Sequence, residues 1–292
     1  MSQTVESMKP MSNDQEHCVR SYGVKEQSNA ISESDRACER LALIGFAVIS
    51  SGYSSEEQRD LENAFDRALV AQSNVYGGSD RLKLIDEHNT IRAPLLYDDA
   101  FLRLAQNANI LAIASRMFGG SHDSGRFMLN QQNGIINPGN RGVYNQGSFH
   151  RDLPYQHFVS SRPLAINALY CVDPFTIENG ATLVVPGSHK KEEFPSDATV
   201  KSLSVPVEAP AGSFLVLDCM LFHSGGVNTT GSVRRAVNHV YSLPFIRQQI
   251  EFGQLVRNRV TTPALAKLLG FGNESVSSPE DYYKNREARL PR

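Results

Sequence analysis

SFLVLDCMLFHSGGVNTTGSVRRAVNHVYSL, residues 213–243, decides how this chain folds. SFLVLD (213–218) is an apolar run of strand length. His223 follows it, just before a glycine turn. GGVNTTGS (225–232) is dense in Gly, Asn and Thr, residues that reverse a chain. VRRAVNHVY (233–241) then reads as the next strand. The same texture extends upstream to about residue 125, where short Val/Ile/Leu/Phe/Tyr runs alternate with Gly, Pro, Asn and Asp. Candidate strands span 126–136, 143–149, 164–172, 181–186, 201–208, 213–218 and 233–243. Many short strands with regular turns predict a sandwich or barrel of the jelly-roll type.

Helical patterns flank this region. A helical pattern covers 35–43, and LALIGFAVIS (41–50) reads as a helix end followed by a short buried strand. Ser54 with Glu57 forms a capping box, predicting a helix to about residue 71. An amphipathic helix is expected over 99–117, closed by Gly119-Gly120. The tail returns to helix at 262–269 and 279–289. The expected class is α+β with a mainly β core: a double-stranded β-helix (jelly roll, cupin-like) over about 125–245. Helices from the N-terminal part and the C-terminal tail brace it. Residues 1–33 are polar and read as a flexible arm, and 34–292 as one domain.

Composition narrows the function. Basic and acidic residues nearly balance, 29 against 31, with no long basic run, which argues against nucleic acid as a partner. No apolar run is long enough to span a membrane. The N-terminus has no basic-then-apolar leader, so a cytoplasmic location is expected. Cys18, Cys38, Cys171 and Cys219 form no C-x-x-C pair, and Cys171 and Cys219 read as buried thiols. The partner expected is a small-molecule substrate; nothing in the sequence reports oligomeric state.

FHRD (149–152) places His150 and Asp152 two apart, so in an extended segment both face the same side. His223 can complete a 2-His-1-carboxylate set, which leaves three positions open and suits non-haem Fe(II). H-x-D alone is weak evidence. Arg234 adds to it: eleven residues after His223 and across a tight turn, it can return beside the metal. Its planar fork suits the distal carboxylate of 2-oxoglutarate. The cofactors expected are therefore Fe(II), 2-oxoglutarate as cosubstrate, and O2.

Three segments, FHRD (149–152), ENGATLVVPGSHK (178–190) and FHSGGVNTTGSVRRA (222–236), together resemble the phytanoyl-CoA dioxygenase family of Fe(II)/2-oxoglutarate oxygenases. The resemblance implies His150, Asp152 and His223 as iron ligands and Arg234 as the cosubstrate clamp. It also sets Gln131 where relatives turn a polar side chain towards the cosubstrate. Asn167 and Asn238 lie on strands that can point inward, and Asn238 shares strand parity with Arg234. Arg235 and His239 have the opposite parity; Arg235 reads as structural or surface, and His239 as packed or surface. The chain departs from some relatives at Gly225, where they carry a hydroxyl that helps hold the cosubstrate carboxylate.

Tyr155, Gln156, His157 and Phe158 follow the ligand pair in a loop that can cap the site, and Arg92 can line its mouth. These five are candidate substrate contacts. Arg151, between the ligands, is expected to point away into an ion pair. The family implies hydroxylation of an unactivated C–H with release of succinate and CO2. The presence of Asp152 speaks against halogenation, since related halogenases carry a small residue there. Desaturation, epoxidation and ring closure remain alternatives, as does a non-catalytic jelly-roll binding protein. Polar strand residues hint at a polar metabolite, amino acid or sugar derivative as substrate.

Overall fold

A computed structural model describes residues 22–120, 124–153, 155–288 and 290. Most of the arm expected over 1–33, with His17 and Cys18, lies outside the described residues, as do His122 and Arg289. Helix α1 (Glu33–Ile44) starts at Ser32, whose hydroxyl accepts from the Asp35 amide while Asp35 accepts from the Ser32 amide. It stops at Gly45, whose φ of 88° ends the helix in the left-handed region. Strand β1 (Phe46–Ser50) follows. The expected Ser54/Glu57 capping box opens α2, which runs further than predicted, Ser55–Val75. Helix α3 (Ser79–Leu84) and strand β2 (Thr90–Arg92) follow.

The single helix expected over 99–117 is two: α4 (Asp99–Leu104) and α5 (Ala108–Phe118). Asn107 is the reason. Its side-chain oxygen caps a new helix at Asn109 and Ile110, and its Nδ2 donates to the Ser51 carbonyl at 2.9 Å. Strands β3 (Met128–Asn137) and β4 (Ala165–Cys171) come next. No strand forms over 143–149; that segment is a loop with one short turn, Asn145–Gly147. Strand β5 (Thr182–Val184) precedes helix α6 (Asp197–Leu203), which takes the first part of the strand expected over 201–208. Ser196 caps that helix, so β6 is only Val205–Val207. Strands β7 (Ser213–Asp218), β8 (His223–Ser224) and β9 (Arg234–Ser242) complete the set. Helices α7 (Phe252–Leu255), α8 (Pro263–Leu268) and α9 (Pro279–Glu287) form the tail.

The strands make two antiparallel sheets, one of six strands in the order β1-β7-β4-β9-β3-β2 and one of three, β6-β5-β8. Strand parity sorts the six-stranded sheet into two faces. Ile166, Ala168, Tyr170, Phe214, Val216, Val237 and Tyr241 pack with helix residues such as Leu41, Phe65 and Phe101. From the other face, Leu215 and Leu217 pack against Val184 and Val207 of the small sheet. The site lies on this second face, with the helices holding the first. His239 is buried among the helix-facing residues, its Nδ1 3.1 Å from the Ala168 carbonyl oxygen. Arg235 also has the helix-side parity, with both Asp173 oxygens and Asp66 as partners, which makes it structural, the first of the two roles expected.

Helix α2 approaches β3 closely at Gly134. A Cβ there would lie 2.9 Å from Phe65 Cε2 and 3.0 Å from Ile91 Cδ1, both on fully buried side chains. Gly134→Ala should therefore destabilise the protein by about 1–3 kcal/mol through overpacking. Chemical denaturation would show this as a lower midpoint with an unchanged slope.

Candidate active site

His150 and His223 are brought together by backbone pairing. The His150 amide donates to the His223 carbonyl at 2.8 Å, and the His223 amide donates back at 3.1 Å. This isolated bridge replaces the regular strand expected around FHRD. The Asp152 amide donates to the Cys219 carbonyl at 2.9 Å, anchoring the third member to the end of β7. The ring Nδ1 atoms lie 2.7 Å from the Ser148 carbonyl oxygen (His150) and 2.9 Å from that of Leu221 (His223). A neutral ring can donate to a carbonyl only from a protonated Nδ1, so each Nε2 keeps its lone pair. Those Nε2 atoms stand 3.7 Å (His150) and 3.6 Å (His223) from Asp152 Oδ1. One ligand atom from each of the three lies within 4.8 Å of the others, a spacing able to hold a metal ion.

Asn167 Nδ2 donates to Asp152 Oδ2 at 3.0 Å, which fixes the carboxylate and leaves Oδ1 towards the imidazoles. Burial pushes the Asp152 carboxyl up, but the two imidazoles and the Asn167 amide more than offset it, holding it at about 2. Asp152 is therefore ionised at neutral pH. For His150, burial works against the charged ring, yet the Asp152 carboxylate prevails and raises its pKa. For His223, burial prevails and lowers it.

These residues open into a cavity of about 420 Å³, counting the space at its mouth, that reaches Arg234, Asn238 and Gly225. Ile135, Leu169, Leu217 and Ala236 give it apolar walls. Arg234 is 2% exposed, its guanidinium carbon 4.0 Å from the centre of the Phe175 ring. Its Nε and Nη1 have no hydrogen-bond partner among the described residues. A buried guanidinium with open donors is costly unless an anion meets it. The donor set fits what the sequence implied: two imidazoles and a carboxylate for a divalent metal, and a planar cation for a carboxylate.

His150, Asp152, His223, Arg234, Asn167 and Asn238 thus share one cavity. Gln131 is not among the cavity-lining residues; its Oε1 lies 3.5 Å from Asn133 Nδ2, beyond a bulge in the β3–β9 pairing. Arg92 is held by Glu87 at 2.6 and 2.8 Å, outside the cavity lining. The loop candidates do not line it either. Tyr155 and Phe158 are exposed, the Gln156 carbonyl accepts from Arg151, and His157 packs on Phe194. Arg151 does point away from the ligands, but it forms no ion pair among the described residues. Its guanidinium donates to the carbonyls of Gln156, Ser188, Lys191 and Glu192 and lies over Phe194. The four carbonyls take up both terminal nitrogens, while Nε has no partner among the described residues.

Tyr144, Gln146 and Thr182 line the cavity without having been singled out in the sequence. For Tyr144 a signal existed in Gly225, whose missing side chain called for a hydroxyl from elsewhere.

Residues 43–236 match the family described as phytanoyl-CoA dioxygenase (PhyH). Over 268 residues the chain is 31% identical to the uncharacterized protein Rv1501 of Mycobacterium tuberculosis, covering 88% of this chain and 94% of that one. It is 32% identical over 142 residues to the iron/alpha-ketoglutarate-dependent dioxygenase penM of Penicillium thymicola, 45% of either chain. The crystal structure of EctD from S. alaskensis with 2-oxoglutarate and 5-hydroxyectoine superposes with a TM-score of 0.56. That likeness has 20% identity, covers 78% of this chain and 82% of EctD, and speaks for the fold alone. The chain belongs to the phytanoyl-CoA dioxygenase family of Fe(II)/2-oxoglutarate-dependent oxygenases.

Proposed function

We propose that this Fe(II)- and 2-oxoglutarate-dependent dioxygenase hydroxylates an unactivated C–H bond of a polar small molecule, releasing succinate and CO2. His150, Asp152 and His223 would hold the iron, and Arg234 the distal carboxylate of the cosubstrate. The observation that carries the reading is Arg234: a buried cation with two open donors, in the same cavity as a preformed His-Asp-His set. A protein that merely binds a small molecule needs no such pairing. The two facing sheets are read as the jelly roll of a single domain over 34–292, with the site between them.

When bound, the Fe(II)–2-oxoglutarate pair supplies oxidative decarboxylation and O2 activation. The residues do the rest. Each Nδ1 contact to a carbonyl orients an imidazole, and Asn167 keeps one Asp152 oxygen aimed inward. Ile135, Leu169, Leu217 and Ala236 supply apolar wall beside the polar groups. Asn238 accepts from the Asn133 amide at 2.9 Å, which leaves its Nδ2 donors for a ligand and favours a polar substrate.

Anaerobic addition of Fe(II) and 2-oxoglutarate should give a weak visible charge-transfer band, and a panel of polar metabolites should then include one that stimulates succinate release. Folded protein without the band would sink the oxygenase reading. Asp152→Ala should abolish substrate-coupled succinate formation, measured by mass spectrometry. Asn167→Ala should weaken metal binding about 10–100-fold, read in a metal titration with little change in melting temperature. Metal affinity should also fall with falling pH, because the ligand imidazoles must be neutral. The raised pKa of His150 means that proton competition sets in at a higher pH than for an unperturbed imidazole. A metal titration repeated at several pH values checks the sign.

A further inference from the structure

The Tyr144 hydroxyl has one hydrogen-bond contact among the described residues, Arg234 Nη2 at 3.5 Å. A guanidinium carries only donors, so in this contact the tyrosine oxygen accepts. Its own hydrogen is left without an acceptor, on a side chain only 6% exposed that lines the cavity. Burial pushes the Tyr144 pKa above the ordinary range against the opposing charge of Arg234, so the hydroxyl stays protonated at neutral pH. Two open donors on Arg234 and one on Tyr144 thus stand side by side. A single carboxylate can accept from both residues.

Gly225 is the other half of the arrangement. A Cβ at 225 would lie 1.7 Å from Tyr144 Oη and 2.8 Å from its Cζ. The Gly225 amide also donates to the Gln146 carbonyl at 2.7 Å, which ties the Tyr144 loop against the β8 end. The phenol therefore reaches Arg234 only because residue 225 has no side chain.

Building on the 2-oxoglutarate reading above, we infer that Tyr144 donates a hydrogen bond to the distal carboxylate held by Arg234, and that Gly225 makes room for it. Thr182 is the rival hydroxyl, since it also lines the cavity.

The test titrates anaerobic Fe(II)-loaded protein with 2-oxoglutarate and with 2-oxopentanoate, which keeps the chelating end and lacks the distal carboxylate. Binding is followed by the visible band. Tyr144→Phe removes one oxygen and should raise the Kd for 2-oxoglutarate on the order of 10-fold or more, leaving that for 2-oxopentanoate unchanged. Thr182→Val should affect both ligands alike. Gly225→Ser alone should be worse than the double variant Tyr144→Ala/Gly225→Ser, in which the hydroxyl changes residue and the clash is gone. Equal losses for both ligands in Tyr144→Phe, no loss, or a selective loss in Thr182→Val instead would overturn the assignment. A parent protein that gives no band overturns the oxygenase reading itself, and a parent that does so only with 2-oxopentanoate overturns the role of Arg234.

Discussion

The reciprocal backbone pair between His150 and His223 is the constraint on which the site depends. It joins a loop with no regular structure of its own to the end of a two-residue strand. That strand, His223–Ser224, lies between the end of β7 and the turn towards β9. The pair sets the two rings on one side, 4.5 Å between centroids, and two further carbonyls hold their Nδ1 atoms. Backbone atoms thus position the imidazoles, so little depends on side-chain neighbours that could repack. Asp152 is anchored by the same logic, through its own amide to Cys219.

Arg234 enters this arrangement from the other sheet, and β9 decides what it can do. In the β3–β9 register it stands opposite Asn137, with Asn238 two strand periods further along, opposite Asn133. Alternation turns Arg235 towards Asp173 and Asp66 and Arg234 towards the cavity. Two adjacent arginines therefore have unrelated fates. Arg235 is satisfied by carboxylates, and that pairing raises its pKa. Among the described residues Arg234 is left with the Phe175 ring, a 3.5 Å contact to the Tyr144 hydroxyl, and open donors at Nε and Nη1. A slip of one residue would exchange the two, turning Arg235 into the cavity and Arg234 towards the carboxylates.

Much of this was legible in the sequence, because the periodicities involved are short. The strand runs at 213–218 and 233–243 declare themselves by composition, and His223 and Arg234 follow from their ends. What was not legible has a physical reason in each case. The 143–149 segment carries Val, Tyr and Phe like a strand, but no neighbouring strand offers it a ladder, and its bonds go to turns and to Gly225. Asn107 looked like one polar residue inside a helix; its amide reaching Ser51 divides the helix in two. Tyr155, Gln156, His157 and Phe158 lie close to the ligands in sequence, yet Arg151 gathers the carbonyls around them and packs the loop against Phe194. Sequence proximity to a ligand says nothing of direction once the chain leaves a strand.

The apolar walls matter as much as the polar groups they enclose. Ile135, Leu169, Leu217 and Ala236 line the cavity that the buried Arg234 faces. In such surroundings a charge interaction is far stronger than in water, and an unmet donor is correspondingly costly. The chain maintains that cost through packing elsewhere: the helix face of the large sheet is filled by fully buried Phe65, Phe101, Phe214 and Tyr241. One face of the sheet thus supplies stability while the other keeps a cation short of partners. An arrangement of that kind is stabilised by whatever anion binds it, so cosubstrate and fold are thermodynamically linked under the proposed reading. Under the same reading, Tyr144 offsets the departure at Gly225. Once a phenol from the loop meets the guanidinium, the hydroxyl's origin in the chain is immaterial, and only its place in the cavity counts.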